Sequence, residues 1–178
     1  GNDPYSYFLD PTANNNDVLL TPMIGGVSDG TTNTNDNSGG VGGGNSVGAG
    51  EAMRVDYVSG ISGDPKANVG GDDYSNVLNQ DHVFDGHYMV NGASAVFTNI
   101  TGSTTIRIKA FDDPDINSVV GDGTSDDITR VVISYDGVSE TFDVSGYLDG
   151  VAITATVNGH DFTITTDGND VLVGNVIS

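Results

Sequence analysis

From Val151 to Val157 the chain alternates strictly, with Val151, Ile153, Ala155 and Val157 on one side and Ala152, Thr154 and Thr156 on the other. Alternation of period two suits a half-buried strand and does not suit a helix, whose faces repeat every three to four residues. Shorter pieces of the same pattern recur, separated by turns. In Ile106-Arg-Ile-Lys-Ala110 the cations occupy one face and the apolar residues the other. Ile128 to Ser134 continues through Tyr135 into Asp136-Gly137, a two-residue hairpin signal, with Ser139 to Val144 as the partner strand. Asn91-Gly92 gives the same signal between His82–Asn91 and Ala93–Thr98, and Asn158-Gly159 leads to Phe162-Thr-Ile164. Val18-Leu-Leu20 and Val171-Leu-Val173 read as further short strands, and in Glu51 to Val58 the apolar face is Met53, Val55 and Tyr57, opposite Ala52, Arg54, Asp56 and Val58. Roughly eight to ten short strands with turns at this spacing, and no convincing helix, predict an all-β fold, a single β-sandwich domain over residues 1–178.

The charges narrow the function. Against 5 Lys+Arg stand 25 Asp+Glu, a formal net charge of −20, and apart from Glu51 and Glu140 every acid is Asp. Asp suits turns, caps and oxygen-rich metal loops where Glu would suit helices. Such a surface repels phosphate backbones and anionic lipid, so nucleic-acid binding is not expected, and without a run of about eighteen apolar residues neither is membrane insertion. Divalent cations are the natural counter-ions. The absence of Cys removes disulfides and thiolate metal sites. An abrupt start at Gly1-Asn2-Asp3 reads as a segment cut from something larger. Residues 25–50 are low-complexity, Gly, Asn, Thr, Ser and Asp with isolated valines, and predict a long Gly/Asn-rich loop. Asp29 and Asp36 would let a cation order that loop; a flexible linker is the alternative.

Six carboxylates fall within the sixteen residues from Asp112 to Asp127, between two strand-like segments. Charges of one sign so close repel unless a cation binds or water screens them. Asp113, Asp115 and Asn117 alternate as the first ligands of a helix-loop-helix calcium loop do. Ser118 then replaces the turn glycine, Thr124 stands where a bidentate Glu would be, and no helices flank the loop. The segment therefore reads as an inter-strand Ca²⁺ loop with Asp112, Asp113, Asp115, Asn117, Asp122, Asp126 and Asp127 as candidate ligands, or as a solvated acidic turn. Gly44-Asn-Ser46-Val-Gly48 matches the nucleophile-elbow pattern but lies in glycine-rich sequence rather than between strand and helix. His82 and His87 flank Asp85 five positions apart, so they could share a metal only if Asp85-Gly86 bends the chain. With no evident nucleophile and base, the expectation is a protein that is not an enzyme.

Gly168-Asn-Asp170-Val-Leu172-Val-Gly174 looks like one copy of the glycine-and-aspartate nonapeptide of repeats-in-toxin proteins. Ser46-Val-Gly-Ala-Gly-Glu51-Ala-Met-Arg54-Val-Asp56-Tyr-Val58, Val90-Asn-Gly-Ala93 and Gly102-Ser-Thr-Thr-Ile-Arg107-Ile-Lys-Ala-Phe111-Asp112 resemble the ligand-binding and extender β-sandwich domains of type-I-secreted bacterial adhesins. In size, acidity and loop richness the chain is most similar to their calcium-dependent peptide-binding domain. That resemblance implies several Ca²⁺ ions, a partner presenting a peptide or protein C-terminus on a host or neighbouring cell, a role in adhesion or biofilm, and an extracellular place at the bacterial surface as a monomeric module of a long adhesin. Within that reading the loop carrying Gly70, Gly71, Asp72, Asp73, Tyr74 and Asn76 is the expected binding face, since glycine allows close approach and tyrosine offers a stacking surface. A carbohydrate-binding module and a structural extender are the alternatives.

Overall fold

Two nine-residue strands, Asn16–Ile24 and Glu51–Ser59, pair antiparallel over their whole length, from Asn16 opposite Ser59 to Ile24 opposite Glu51. Everything else is placed around this pair. The computed structural model describes the chain apart from residues 1, 13, 26, 29, 36–37, 64–81, 99–102, 115, 117–118, 136, 145–149, 157–161, 168–175 and 178. In chain order the early strands are β1 (Asn2–Asp3), β2 (Ser6–Phe8), β3 (Asn16–Ile24), β4 (Val27–Ser28), β5 (Thr32–Thr34), β6 (Gly39–Val41) and β7 (Glu51–Ser59). Then come β8 (Gly86–His87), β9 (Gly92–Phe97), β10 (Ser103–Ile108), β11 (Ala110–Asp112) and β12 (Thr124–Asp126). The last are β13 (Arg130–Tyr135), β14 (Val138–Asp143), β15 (Val151–Thr156), β16 (Phe162–Asp167) and β17 (Val176–Ile177).

The fold is all-β, every strand pairing is antiparallel, and no helix occurs among the described residues. The largest sheet runs β15-β10-β17-β7-β3-β2, with β4 against β3 and β8 against β7. A four-stranded sheet runs β14-β13-β16-β9, β11 and β12 form a two-stranded ribbon, and β1, β5 and β6 form a small sheet. β13 and β14 make the expected hairpin, Tyr135 pairing with Val138. Asn91-Gly92 does not make one: β9 starts at Gly92 and pairs with β16, while β8 pairs with β7, so this turn moves the chain between sheets. Asn158-Gly159 lies outside the described residues; β15 before it pairs with β10 and β16 after it with β13, in a different sheet.

Residues 25–50, expected as one long loop, carry three short strands on top of the β3–β7 pair. The Gly25 amide donates to the Gly50 carbonyl at 3.2 Å and closes the excursion at its base. Inside it, Val41 N–H donates to Ser46 C=O at 2.9 Å, and a Cβ on Gly40 would run into the backbone of Asn45 and Ser46. Backbone thus packs on backbone where side chains are missing, which is how a glycine-rich stretch acquires order.

Apolar burial is divided in two. Ile106 and Ile108 of β10 pack with Ala110, Ile128 and Val131, joined by Ala93, Phe97, Ile133, Val151 and Ile153, so this cluster draws on both larger sheets. Tyr5, Leu19, Val58, Ile61, Phe84 and Val120 form the second cluster, with Tyr7 against it. It covers the face of β3 and β7 that carries Leu19 and Val58. Leu19→Ala is expected to lower unfolding free energy by about 3 kcal/mol, whereas Ile116→Ala, at 87% exposure, should change it by less than about 0.5 kcal/mol; urea midpoints measured on both variants check this.

Candidate functional site

On β7 the sequence assigns burial to Met53, Val55 and Tyr57. The structure corrects this in part: Met53 is buried as expected, but Asp56 and Val58 are 0% exposed and Arg54 4%, while Val55 and Tyr57 are half-buried. Cross-strand partners share a face, so Asp17, Leu19 and Thr21, opposite Val58, Asp56 and Arg54, lie on the same deeply buried side. Two charges can be buried here because they neutralise each other. Arg54 Nε donates to both Asp56 oxygens at 3.0 and 2.9 Å, and its Nη2 donates to Oδ1 at 2.7 Å.

Two more groups complete the cluster. His87, on β8 opposite Val58, brings Nε2 to 3.5 Å from Asp56 Oδ1 and Nδ1 to 3.7 Å from Asp113 Oδ1, with its side chain fully buried. Asp113 Oδ2 stands 3.8 Å from Arg54 Nη2. Both imidazole nitrogens are buried, and Nε2 stands at the outer limit of hydrogen-bond reach of Asp56, so His87 acts on its neighbours through this long contact and through charge. Burial pushes its pKa down, but Asp56 and Asp113 outweigh burial and the opposing Arg54, holding it above the ordinary histidine value. Burial likewise pushes the Asp56 carboxyl up, yet Arg54 and then His87 hold it below the usual carboxylate value. With His87 protonated, two cations face two anions and this four-residue cluster carries no net charge.

The roof of this cluster is the acidic segment. The ribbon sets Asp112 opposite Thr124 and Ala110 opposite Asp126, folding the segment back on itself. Gly121 sits over Arg54 with φ +101°, and a Cβ there would lie 3.0 Å from Nη1. Its neighbour Val120 enters the second apolar cluster.

The candidate ligands are therefore dispersed by fate. Asp113 points inward, 2% exposed, beside Arg54 and His87. Asp112 is half-buried and its Oδ1 is sequestered without a hydrogen bond. Asp126 accepts the Asp127 amide at 2.8 Å, both residues being half-buried, and Asp122 is exposed. Asp115, Asn117, Asp29, Asp36 and the whole loop with Gly70, Gly71, Asp72, Asp73, Tyr74 and Asn76 lie outside the described residues. Among the described residues no three His, Asp or Glu side chains stand close enough to hold a metal ion. His82 and His87 do not converge: His82 stacks on Phe84 at 5.6 Å and meets Tyr5 edge-on at 5.5 Å, while His87 meets Phe84 edge-on at 5.0 Å.

A second concavity lies between sheet edges. A cleft of about 540 Å³ has Val131, Ile133, Phe142 and Val144 along one wall and Val151 and Ile153 along the other, with Arg107 and its direct partner Ala152 also bordering it. A smaller hollow of about 200 Å³ continues past Ile133 and Phe142 to Val138 and Glu140.

Sequence reasoning missed Arg54, Asp56 and His87 as a unit. A usable signal was present: opposite charges two apart on one strand share a face and pair, so they can be buried together. Comparison with known proteins adds no relative, since no family model, no curated protein and no solved structure matches this chain.

Arg54→Met, which leaves Asp56 and Asp113 without the guanidinium, should cost about 3–5 kcal/mol of stability in chemical denaturation. The pH dependence has two arms. Because the folded pKa of His87 is raised, its contribution is complete below about pH 6.5 and declines as pH climbs through the folded value. Because that of Asp56 is lowered, its contribution is complete above about pH 4 and lost as pH falls through the folded value. Stability profiles of the parent and of His87→Gln are expected to converge on the alkaline side and differ most below about pH 6.5.

Proposed function

We propose that this chain is a non-catalytic β-sandwich recognition module of a secreted bacterial adhesin, holding Ca²⁺ in its acidic loops and binding the C-terminal peptide of a protein on a host or neighbouring cell. The observation that carries the calcium part is Asp112: one carboxylate oxygen is buried without a hydrogen bond in a loop that the β11–β12 ribbon folds back on itself. A sequestered anionic oxygen wants a donor or a cation, and in a chain of net charge −20 with 5 Lys+Arg a cation from solution is the more available. In this proposal Asp112 is the first ligand, and the segment that follows it, with Asp115, Asn117, Asp122 and Asp126, carries the side-chain oxygens from which Ca²⁺ would draw more of its shell. A metal with an incomplete shell of protein oxygens could accept a carboxylate from the partner, which would let an acidic module hold another anion. The extracellular location and the adhesin parent belong to the same proposal and are supported by the resemblance in Ser46–Val58 and Gly102–Asp112.

Thermal melting in millimolar Ca²⁺ and after EDTA treatment tests the ion: a fall of several degrees on chelation is expected, with bound calcium detected by elemental analysis, and Asp112→Asn should shrink that fall. Indifference to chelator with no metal found would sink the calcium reading. A peptide-terminus array beside a glycan array separates recognition modes. Free-acid peptides are expected to bind and their amidated forms to lose affinity, whereas glycan binding alone would favour a carbohydrate module.

A further inference from the structure

The cleft between β14 and β15 is bounded by strands at the ends of their sheets, β14 closing the four-stranded sheet and β15 the eight-stranded one. Among the described residues, no further strand pairs with the outer row of backbone N–H and C=O groups on either strand. Val131 pairs with Phe142, Ile133 with Glu140 and Tyr135 with Val138, so Val138, Glu140 and Phe142 occupy the cleft side of β14. On that side Val138 is 70% and Phe142 40% exposed. Among the described residues these apolar side chains line the cleft and still meet water. Its two hollows share Ile133 and Phe142, which makes the groove continuous along β14.

Charge specifies the occupant. Arg107 is exposed at the border of the larger hollow, and its guanidinium makes no hydrogen bond or ion pair among the described residues, although the chain carries 25 acids. Arg54 spends its charge on Asp56, by contrast. At the other end of the groove the charge is Glu140. We infer that the groove binds an extended peptide by strand addition, its apolar side chains seated between Phe142 and Ile153 and its carboxylate held by Arg107, with the preceding residues running along β14 past Glu140 towards Val138. Extended backbone satisfies the free strand edge, alternate side chains fill the cleft, and the guanidinium favours an anion at one end only. The inference rests on the peptide-recognition reading above and gives it a place, but it assigns the partner's carboxylate to Arg107 in place of a metal ion, so it stands or falls apart from calcium. The carboxylate is the peptide's own C-terminus, as in the recognition reading, and an internal Asp or Glu is the alternative that the test separates.

Fluorescence anisotropy on the whole chain, with labelled octapeptides rich in Val, Ile and Phe, tests it. Three forms are compared: free acid, amidated, and amidated with an internal Glu. The free acid is expected to bind at least about tenfold tighter than the plain amide, and Arg107→Gln should bring that preference close to unity; a gain from the internal Glu equal to that of the free acid would overturn the assignment of a chain terminus to Arg107. Phe142→Asp should weaken every form by about tenfold or more, and Val138→Asp, at a site mostly in water, repeats the test if Phe142→Asp fails to fold. If peptides bind but the Arg107, Phe142 and Val138 variants match the parent, this site is wrong and the recognition reading stands. If no peptide binds the parent, both fall.

Discussion

The Arg54–Asp56 pair holds this structure to its particular arrangement. Removing a carboxylate and a guanidinium from water is costly, and only close mutual contact with well-directed hydrogen bonds returns that cost. Three Arg54-to-Asp56 hydrogen bonds between 2.7 and 3.0 Å supply the contact. The pair in turn fixes what can lie above it. His87 arrives on a strand of two residues, and Asp113 enters just beyond β11, so three distant parts of the chain are selected by charge rather than by shape alone. Gly121 allows the roof to come down onto the guanidinium, where a side chain would meet Nη1. Remove the pairing and the most buried face of β7 becomes the least tolerable one.

The aspartates of this chain are accordingly two populations. Asp17, 4% exposed, accepts the Asp10 amide at 2.8 Å and the Ile61 amide at 3.0 Å, pinning the chain entering β3 to the chain leaving β7. Asp56 and Asp113 belong to the ion cluster. Asp10 folds its own turn, accepting from Thr12 N–H at 2.8 Å and Thr12 Oγ1 at 2.6 Å, which holds its carboxyl below the usual value. These acids work as internal wiring, and a composition count cannot separate them from acids that face solvent. The calcium proposal concerns the remainder, Asp112 foremost.

Strand content was legible because alternation is a local property. Ile106 and Ile108 are buried while Arg107 is exposed, as their spacing requires, and β13 pairs with β14 as the hairpin reading expects. What lay beyond sequence was the choice of partner. Asn91-Gly92 has the chemistry of a hairpin, yet β9 goes to β16, because a two-residue β8 offers far less pairing than six residues of β16. The same limit explains β7. Alternation announces two faces but cannot say which is deeper when both can be covered, and the deeper one was the one with the charges. Residues 25–50 misled for another reason: order there comes from backbone packing at Gly40, which leaves no hydrophobic trace.

A buried ion cluster under an acidic shell divides the molecule's response to ionic strength. Mobile ions at physiological concentration screen exposed charges over about 8 Å but reach a dry interior poorly. Added salt will therefore relax repulsion among the outer aspartates while leaving Arg54, Asp56, His87 and Asp113 almost untouched. Fresh water and sea water would present the same centre inside differently strained exteriors.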